Sequence, residues 1–419
     1  MRLVADATEI AAIADAIARA PLAAFDLEFV SADRLVPLLA LVQVAWLEDH
    51  PALDARAAKT VSPEPQVRLV DPLAADAGPV VRALASHACV IAHAPRQDLG
   101  LLATRFGAEL PGLVDTQLMA AFAGHGDQIG YAALANELLG TSLAKDQQWT
   151  SWDKRPLTDA QLTYAVADVR YLPAIYARLA SRLGPRIAWV RDETARIGAD
   201  ALAAASVTPE DAWRHVGGTR GLDGAALAAV TALAAWRQRT AIELDRPLGQ
   251  VLADKSLVDL ARQRPATAAG VREVKGLSPL AKTRADAIAS AIASAPAPAR
   301  APATSTSTAR PASASTRAQR WAEVLLVIAH AVADAAGIAE RLIATRSDAE
   351  DFARAVDEHG VSSSQVAALP ALATWRRELL GNAWLGWLEG RLLVGRSPLA
   401  QPDAGQPVEI IDARRDGLN

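Results

Sequence analysis

The sequence has very little cysteine, since Cys89 is the single one among 419 residues. A single cysteine excludes a disulfide bond within the chain and is typical of proteins kept in a reducing compartment. The sequence also lacks an apolar run of about 18 residues, the length that a membrane-spanning helix needs. Its first residues have neither the basic nor the apolar segment of a secretory signal. We therefore expect a cytoplasmic protein.

An excess of positive charge is absent as well. The 43 basic and 47 acidic residues give a net charge of −4, which by itself argues against a nucleic-acid partner. The charge is distributed unevenly, however. Residues 211–295 contain 12 basic and 8 acidic residues, and residues 296–320 contain four arginines and no acidic residue. Because local positive charge is what binds a phosphate backbone, the total does not exclude such a partner.

Two acidic residues interrupt an apolar segment near the start of the chain. The segment from Leu22 to Val30 has the composition of a buried strand and contains Asp26 and Glu28. Side chains alternate along a strand, so these two carboxylates lie on the same face. Either that face meets water, or a cation holds the two charges together.

Three further residues complete a candidate site. Asp98 follows the apolar run 88–92 at a predicted turn into a helix, where an Asp also serves as an ordinary cap. A second helix is predicted from about Thr158, because Thr158 and Gln161 have the spacing of a capping box. Tyr164 and Asp168 are four residues apart and therefore project from one face of that helix.

The chemistry that this set favours is metal-assisted hydrolysis. Carboxylate oxygens are the ligands that Mg²⁺ and Mn²⁺ prefer. Two such ions can cleave a phosphodiester bond. Taken singly, each of the motifs is common in proteins without a metal, so the hypothesis rests on their combination.

The order of these motifs resembles the DEDDy branch of the DnaQ-like 3′–5′ exonucleases, and the flanking residues resemble bacterial ribonuclease D. Six sequence blocks carry the resemblance in order, over roughly residues 20–180: Phe25–Val30, Leu39–Val44, Leu69–Pro72, Ala92–Leu99, Leu113–Leu118 and Arg155–Asp168. The resemblance implies an α/β exonuclease domain, RNase H-like, with a mixed sheet and helices, followed by two small all-α helical domains.

The resemblance also implies the activity and the role of each residue. It implies a 3′–5′ exoribonuclease that trims RNA, tRNA precursors included, and releases nucleoside 5′-monophosphates. Two divalent ions, Mg²⁺ or Mn²⁺, would be held by Asp26, Glu28, Asp98 and Asp168, and Tyr164 would orient the attacking water. We expect a monomer. Two alternatives are an exonuclease acting on DNA and a non-catalytic RNA-binding adaptor, and the complete carboxylate set argues against the adaptor.

Some features depart from the family pattern or lie beside it. Leu27 stands where the family usually has Thr, and residues 31–37 lack the aromatic residues that often precede the second strand. Residues 48–66 are longer than a usual hairpin loop, which indicates either a surface insertion or a flap on the substrate side. Lys145, Gln148 and Trp152 precede the second helix, where they either contact the substrate or have a structural role.

The length and composition predict several domains. We assign residues 1–210 to the exonuclease domain, and residues 211–294, which resemble the HRDC nucleic-acid-binding domain, to a helical module. Residues 295–319 are predicted to be a flexible linker, because they have almost no apolar bulk. Residues 320–396 are predicted to form a second, degenerate HRDC-like domain, and 397–419 a loose tail. Since all five site residues precede position 170, we expect a fragment without 211–419 to be an active exonuclease. The alternative is that helices from 211–295 cover an apolar face of the first domain, in which case the fragment would aggregate.

Overall fold

The computed structural model describes residues 2–48, 64–143, 150–295, 315–396 and 408–412. Residues 49–63 of the predicted insertion lie outside these ranges. Lys145 and Gln148 do so as well, and their proposed contacts with substrate stay predictions.

A six-stranded mixed sheet forms the centre of the first domain. Its strands are β1 (Leu3–Val4), β2 (Leu22–Val30), β3 (Leu38–Leu47), β4 (Gln66–Val70), β5 (Val90–Ala92) and β6 (Leu113–Asp115). They lie in the order β1-β4-β3-β2-β5-β6. β3 is antiparallel to both β2 and β4, whereas β1 pairs with β4, β5 with β2 and β6 with β5 in parallel. Strands covered on both faces contain near-continuous apolar runs, as β2 and β3 do.

Helices cover both faces of this sheet. They are α1 (Ala7–Arg19), α2 (Gly78–Ser86), α3 (Arg96–Phe106), α4 (Thr116–Phe122), α5 (Tyr131–Leu139), α6 (Asp159–Arg170), α7 (Leu172–Leu183) and α8 (Ile187–Ala205), with a 3₁₀ turn at Gly184–Arg186. Phe25 and Leu27 of β2 pack with α1 and α2 on one face, whereas Leu22 and Ala24 pack with α4 and α7 on the other. The predicted mixed α/β fold is confirmed, and an apolar core lies on each face of the sheet.

A helical module with a core of its own follows. After a 3₁₀ turn at Ala212–His215 it contains α9 (Gly224–Leu244), α10 (Leu248–Val251), α11 (Asp254–Gln263), α12 (Ala268–Glu273), α13 (Pro279–Thr283) and α14 (Ala285–Ala293). Leu233, Leu257 and Ile288 lie at the centre of its apolar cluster. The Arg237 guanidinium bonds the Asp254 carboxylate at 2.6 Å and ties α9 to α11. Since this cluster is separate from the others, the module is a compact unit.

Polar contacts hold this module against the loop that follows β2. Asp245, at the C-terminus of α9, accepts hydrogen bonds from the backbone N–H groups of Leu35 (3.2 Å) and Val36 (3.4 Å). Gln250 donates to Asp33 at 2.7 Å. The loop 31–37, which lacks the aromatic residues of the family, therefore contacts the helical module.

The C-terminal part is mainly helical. It contains α15 (Thr316–Ala336), α16 (Glu340–Ile343), α17 (Arg346–His359), α18 (Ser364–Ala367), a 3₁₀ turn (Pro370–Leu372), α19 (Thr374–Arg376), a π-helical turn (Arg377–Gly381) and α20 (Asn382–Leu388), followed by β7 (Leu392–Arg396) and β8 (Val408–Asp412). α15 begins inside the predicted linker 295–319, because the Ser315 side chain accepts from the Ala318 N–H and caps the helix. β8 lies inside the segment predicted to be a loose tail, where it pairs antiparallel with β7. The predicted helical character of this end of the chain is confirmed, and the short antiparallel pair of β7 and β8 follows the helices.

This C-terminal part shares its core with the first domain. The Trp375 ring stacks on Trp189 with centroids 5.5 Å apart and meets the edge of Phe122 at 4.9 Å. The indole N–H of Trp375 donates to the buried Glu193 carboxylate at 3.1 Å, and Arg376 bonds the same oxygen at 2.5 Å. Removing residues 211–419 would uncover part of this core, which argues against the expectation that the first domain folds without them. That expectation stays a prediction.

The helices were also compared with the length and apolarity that a membrane span requires. In the described ranges no single helix meets both conditions. α15 and the segment Glu340–His359, which comprises α16 and α17, meet them only as a pair that is bent by 115° at the break. Most of the apolar residues of α15 are buried in the shared core.

Candidate active site

The first two site residues lie where the sequence places them. Asp26 and Glu28 are both on β2 and project from the same face, while Leu27 between them is buried in the apolar layer on the opposite face. Since Leu27 points away from the carboxylates, the replacement of the family Thr does not alter this face. The pairing of β2 with β3 shifts register between Glu28 and Phe29, so the regular ladder ends just beyond the carboxylates.

The third carboxylate comes from α6, which packs across β3 and β4. One oxygen each of Asp26, Glu28 and Asp168 lies within 4.8 Å of the others. These three side chains retain some exposed surface, so the group is open on one side. The structure thus brings together three of the four carboxylates that were predicted to bind metal.

Contacts at both ends of α6 fix the position of Asp168. The predicted capping box is confirmed: Thr158 accepts from the Gln161 N–H at 3.2 Å, and Gln161 accepts from the Thr158 N–H at 3.0 Å. Near the other end, the Tyr131 hydroxyl donates to the carbonyl of Ala167 at 2.7 Å. Since Ala167 directly precedes Asp168, this bond holds the turn that presents the carboxylate.

An ion pair anchors the segment before α6 to the sheet. Arg155 bonds both oxygens of Asp71 at 2.7 Å, and its Nη2 also donates to the carbonyl of Ala40 at 2.7 Å. Partial burial would raise the pKa of Asp71, but the bonds from Arg155 lower it overall, so the carboxylate stays charged. Bidentate pairing of this kind is geometrically specific. It connects the ends of β3 and β4 with the start of α6.

Asp98 lies close to the group but outside it. It is in the first turn of α3 and only 8% exposed. Its carboxylate is not among those whose oxygens lie within 4.8 Å of one another. Burial is the main cause that raises the pKa of both Glu28 and Asp98. The charge of Asp98 adds to the shift of Glu28, and the charge of Asp26 adds to the shift of Asp98. Asp98 therefore lies near the three carboxylates without meeting them in this conformation.

The turn that leads to Asp98 depends on Asp115. Ala94 has a φ of 52°, in the left-handed region that alanine seldom adopts. Its N–H donates to the Asp115 carboxylate at 2.9 Å, and the same carboxylate caps α4 through the N–H of Gln117 at 2.8 Å. Asp115 thus stabilises the strained turn and, through it, the start of α3.

Tyr164 faces the carboxylates from α6, one turn before Asp168. Burial, followed by the charges of Asp168 and Glu28, raises the pKa of the phenol well above its ordinary value. The hydroxyl therefore stays protonated and available as a donor at physiological pH. Trp152 packs near it with ring centroids 6.0 Å apart and is only 2% exposed. This burial favours the structural role for Trp152.

The electrostatics of the group indicate that it needs a cation. Burial raises the pKa of Asp26 to about 7. Burial, and then the charges of Asp26 and Asp168, raise the pKa of Glu28 to about 9. Burial followed by the charge of Asp26 raises the pKa of Asp168 to about 8. Oδ2 of Asp168 is buried and has no hydrogen-bond partner among the described residues. Hard oxygen donors with one such free atom fit Mg²⁺ or Mn²⁺.

These shifts predict an unusual pH dependence of stability without metal. Since the three pKa values are higher in the folded than in the unfolded state, the folded protein binds more protons. The stabilisation is complete below the unfolded pKa values and is lost as the pH rises through about 7 to 9. In EDTA, Tm should therefore fall between pH 6 and pH 9 by scanning calorimetry, and Mg²⁺ should reverse much of the fall. A Tm that rises over this pH range and does not change when Mg²⁺ is added would contradict the electrostatic coupling of these three carboxylates.

Sequence reasoning missed the supporting residues. Asp71, Asp115 and Arg155 all lie in blocks that carry the family resemblance, but their partners are 21 to 84 positions away in the chain. The block positions were thus a signal that these residues matter, without indicating what they contact. Tyr131 gave no signal, because its partner is a backbone carbonyl.

Comparisons with known proteins agree with this fold. A family described as 3′–5′ exonuclease matches residues 1–184, and the HRDC domain family matches residues 226–292. A ribonuclease D of Acidiphilium cryptum is 34% identical over 96% of this chain and 95% of its own length. A ribonuclease D of Jannaschia is 33% identical over 96% and 97%.

A solved structure has the same fold. The crystal structure of Escherichia coli RNase D, described as an exoribonuclease involved in structured RNA processing, superposes with a TM-score of 0.74 at 24% identity, covering 93% of this chain and 98% of that one. The two alternatives, a DNA-directed exonuclease and a non-catalytic adaptor, are not favoured by these relatives. By its identity to these relatives along nearly its whole length, the chain belongs to the ribonuclease D family of 3′–5′ exoribonucleases.

Proposed function

We propose that this protein trims the 3′ ends of RNA, tRNA precursors among them, and releases nucleoside 5′-monophosphates by two-metal-ion hydrolysis. The observation that carries the proposal is the approach of Asp26, Glu28 and Asp168 to within 4.8 Å on a partly buried, otherwise apolar surface. Divalent ions, when bound there, supply an activated water and neutralise charge on the leaving 3′ oxygen.

Each side chain has a distinct task in this proposal. Asp26, Glu28 and Asp168 bind the ions, and Asp98 completes the set from the start of α3. Tyr164 keeps its proton and orients the attacking water by a hydrogen bond. Because the chain supplies all five residues, one copy is sufficient for the reaction, which supports a monomer. We also propose a cytoplasmic location, which agrees with the lone free Cys89.

The HRDC module supports RNA as the substrate. Residues 211–295 have 12 basic and 8 acidic residues, the opposite balance from the first domain. Trp236 is half-buried at the edge of the module's core and lines a groove of about 540 Å³ together with Arg239 and Ser290. An exposed aromatic face beside an Arg is suited to a base and its phosphate. The loop contact of Asp245 holds this module beside the strand that carries Glu28.

The substrate part of the proposal is tested with three oligonucleotides of equal length, each labelled at the 5′ end. They are a tRNA precursor with extra 3′ residues, an unstructured RNA and a DNA of the same sequence. Single-nucleotide ladders from the 3′ end of both RNAs are the expected result. Equal trimming of DNA would contradict the assignment of RNA as substrate, and failure to trim the precursor would contradict tRNA precursors as one of the substrates.

The two residues on α6 should differ in what they contribute. Tyr164→Phe keeps the ring and its packing against Trp152 but removes the hydroxyl, so kcat should fall on the order of 100-fold. The Kd for Mn²⁺ should stay within about twofold of wild type, because no ligand is lost. Asp168→Asn should weaken Mn²⁺ binding as well as kcat. Calorimetric titration of both variants with Mn²⁺ provides the comparison, and equal losses of Mn²⁺ affinity would mean that Tyr164 acts only structurally.

A further inference from the structure

Gln43 lies in the middle of β3, beneath α6. It is registered opposite Asp26 on β2 and opposite Leu69 on β4. Directly opposed residues of an antiparallel pair project from the same face, with Cβ atoms about 4.5–5.5 Å apart. The Gln43 side chain therefore lies on the face of the sheet that carries Asp26, next to the carboxylate and under α6.

The carboxamide of Gln43 is buried among apolar side chains. The side chain is 0% exposed, and neither Oε1 nor Nε2 has a hydrogen-bond partner in the described part of the chain. Its neighbours on this face include Leu41 and Leu69, which pack in an apolar cluster with Ala165 of α6. A buried amide without a partner destabilises a fold, and an apolar side chain of the same size would avoid that cost. The amide therefore needs a bridging partner, such as an ordered water, that the described residues do not supply.

Other buried atoms without partners gather in the same region. Five such side-chain atoms occur in the described ranges, and four of them belong to Gln43, Trp152 and Asp168. The fifth is Nε of Arg237, in the HRDC module. Trp152 belongs to the apolar cluster around Leu41 and Leu69, and Asp168 lies on α6 above it. Such a concentration of unpaired donors and acceptors at one place indicates a site that is completed by an ion and its water.

We propose that Gln43 is a positioning residue of the metal centre, whose Nε2 donates to the Asp26 carboxylate through one ordered water. The inference rests on the proposed function, because it assumes that Asp26 binds an ion. A carboxylate that ligates an ion through one oxygen needs its other oxygen oriented. A neutral amide can do this without adding a positive charge that would repel the ion.

The test compares two variants that lack the donor but differ in shape, Gln43→Met and Gln43→Leu. Thr240→Val is the matched control, since it removes a hydroxyl from a side chain that is 4% exposed in the HRDC module. Mn²⁺ is titrated calorimetrically into each protein without RNA, and thermal unfolding is measured in EDTA. Loss of a residue that orients a metal ligand costs about 10- to 100-fold in metal affinity.

We expect both Gln43 variants to raise the Kd for Mn²⁺ at least about tenfold, with Tm in EDTA unchanged or higher and the control unaffected. KM for RNA should stay constant while kcat falls. A Mn²⁺ affinity within about twofold of wild type in either variant would overturn the inference. A loss of affinity that occurs only in a variant with a lowered Tm would overturn it as well, because destabilisation would then explain the loss. If the wild-type protein itself fails to bind Mn²⁺, the proposed function fails instead.

Discussion

Asp26→Asn should lower the rate of RNA hydrolysis by at least about 100-fold, the loss typical of removing one electrostatic stabiliser from an active site. The substitution barely changes the volume of the side chain. It removes one negative charge from a group in which Asp26 raises the pKa of Glu28, Asp98 and Asp168. The rate is measured at saturating Mg²⁺ on a short single-stranded RNA.

The same variant should be at least as stable as wild type in EDTA, because the repulsion among the carboxylates is relieved. Asp15→Asn serves as the control, since it makes the same chemical change at an exposed position of α1. Asp15→Asn should leave both the rate and Tm near wild type. Near-normal turnover of Asp26→Asn would remove Asp26 from the metal site, and a large drop of its Tm in EDTA would mean that the residue has a structural role.

Deleting residues 206–419 should leave a first domain that aggregates when it is expressed alone. The deletion removes Trp375 from its contacts with Phe122 and Trp189, and it leaves Glu193 without Arg376 and the indole N–H. Uncovering apolar side chains of this size costs about 1.5–3 kcal/mol each, which is a large part of the usual stability of a domain. Size-exclusion chromatography and scanning calorimetry of fragment 1–205 are the measurements.

Two further fragments make the test specific. Fragment 206–295 has its own core and should be soluble, helical and cooperative in thermal unfolding. Co-expression of residues 315–419 with fragment 1–205 should restore a soluble complex with exonuclease activity. In the full-length chain, Trp375→Ala should lower the free energy of unfolding by about 3–5 kcal/mol. A monomeric fragment 1–205 with a sharp unfolding transition would contradict the shared core.

The features that the sequence predicted well are those with local causes. The alternation of side chains along β2 places Asp26 and Glu28 on one face of the strand. The helical spacing places Tyr164 and Asp168 on one face of α6, and these two faces lie against each other in the structure. The capping box of Thr158 and Gln161 is confirmed, because its geometry depends only on residues three positions apart. What brings β2 and α6 together was available from the family resemblance, not from any local pattern.

The features that the sequence did not predict depend on distant contacts. The Arg155–Asp71 pair and the support of Ala94 by Asp115 join segments whose pairing no spacing rule indicates. The C-terminal helices were predicted as a separate domain, because their apolar residues do not reveal which core they enter. In the structure Trp375 packs on the first domain, so a segment at the end of the chain belongs to the core of the domain at its start. The position of Asp98 outside the 4.8 Å group was likewise invisible in the sequence.

The most direct test of the account is hydrolysis of a 3′-end-labelled RNA by the full-length protein with Mg²⁺, with Mn²⁺ and with EDTA. From the cluster of three carboxylates we expect the label to leave in the first turnover as a nucleoside 5′-monophosphate with either ion. It also predicts that EDTA abolishes the release and that added Mn²⁺ restores it. Release of the label that continues in EDTA, or release as an oligonucleotide, would contradict a metal-dependent 3′–5′ exonuclease built on Asp26, Glu28 and Asp168.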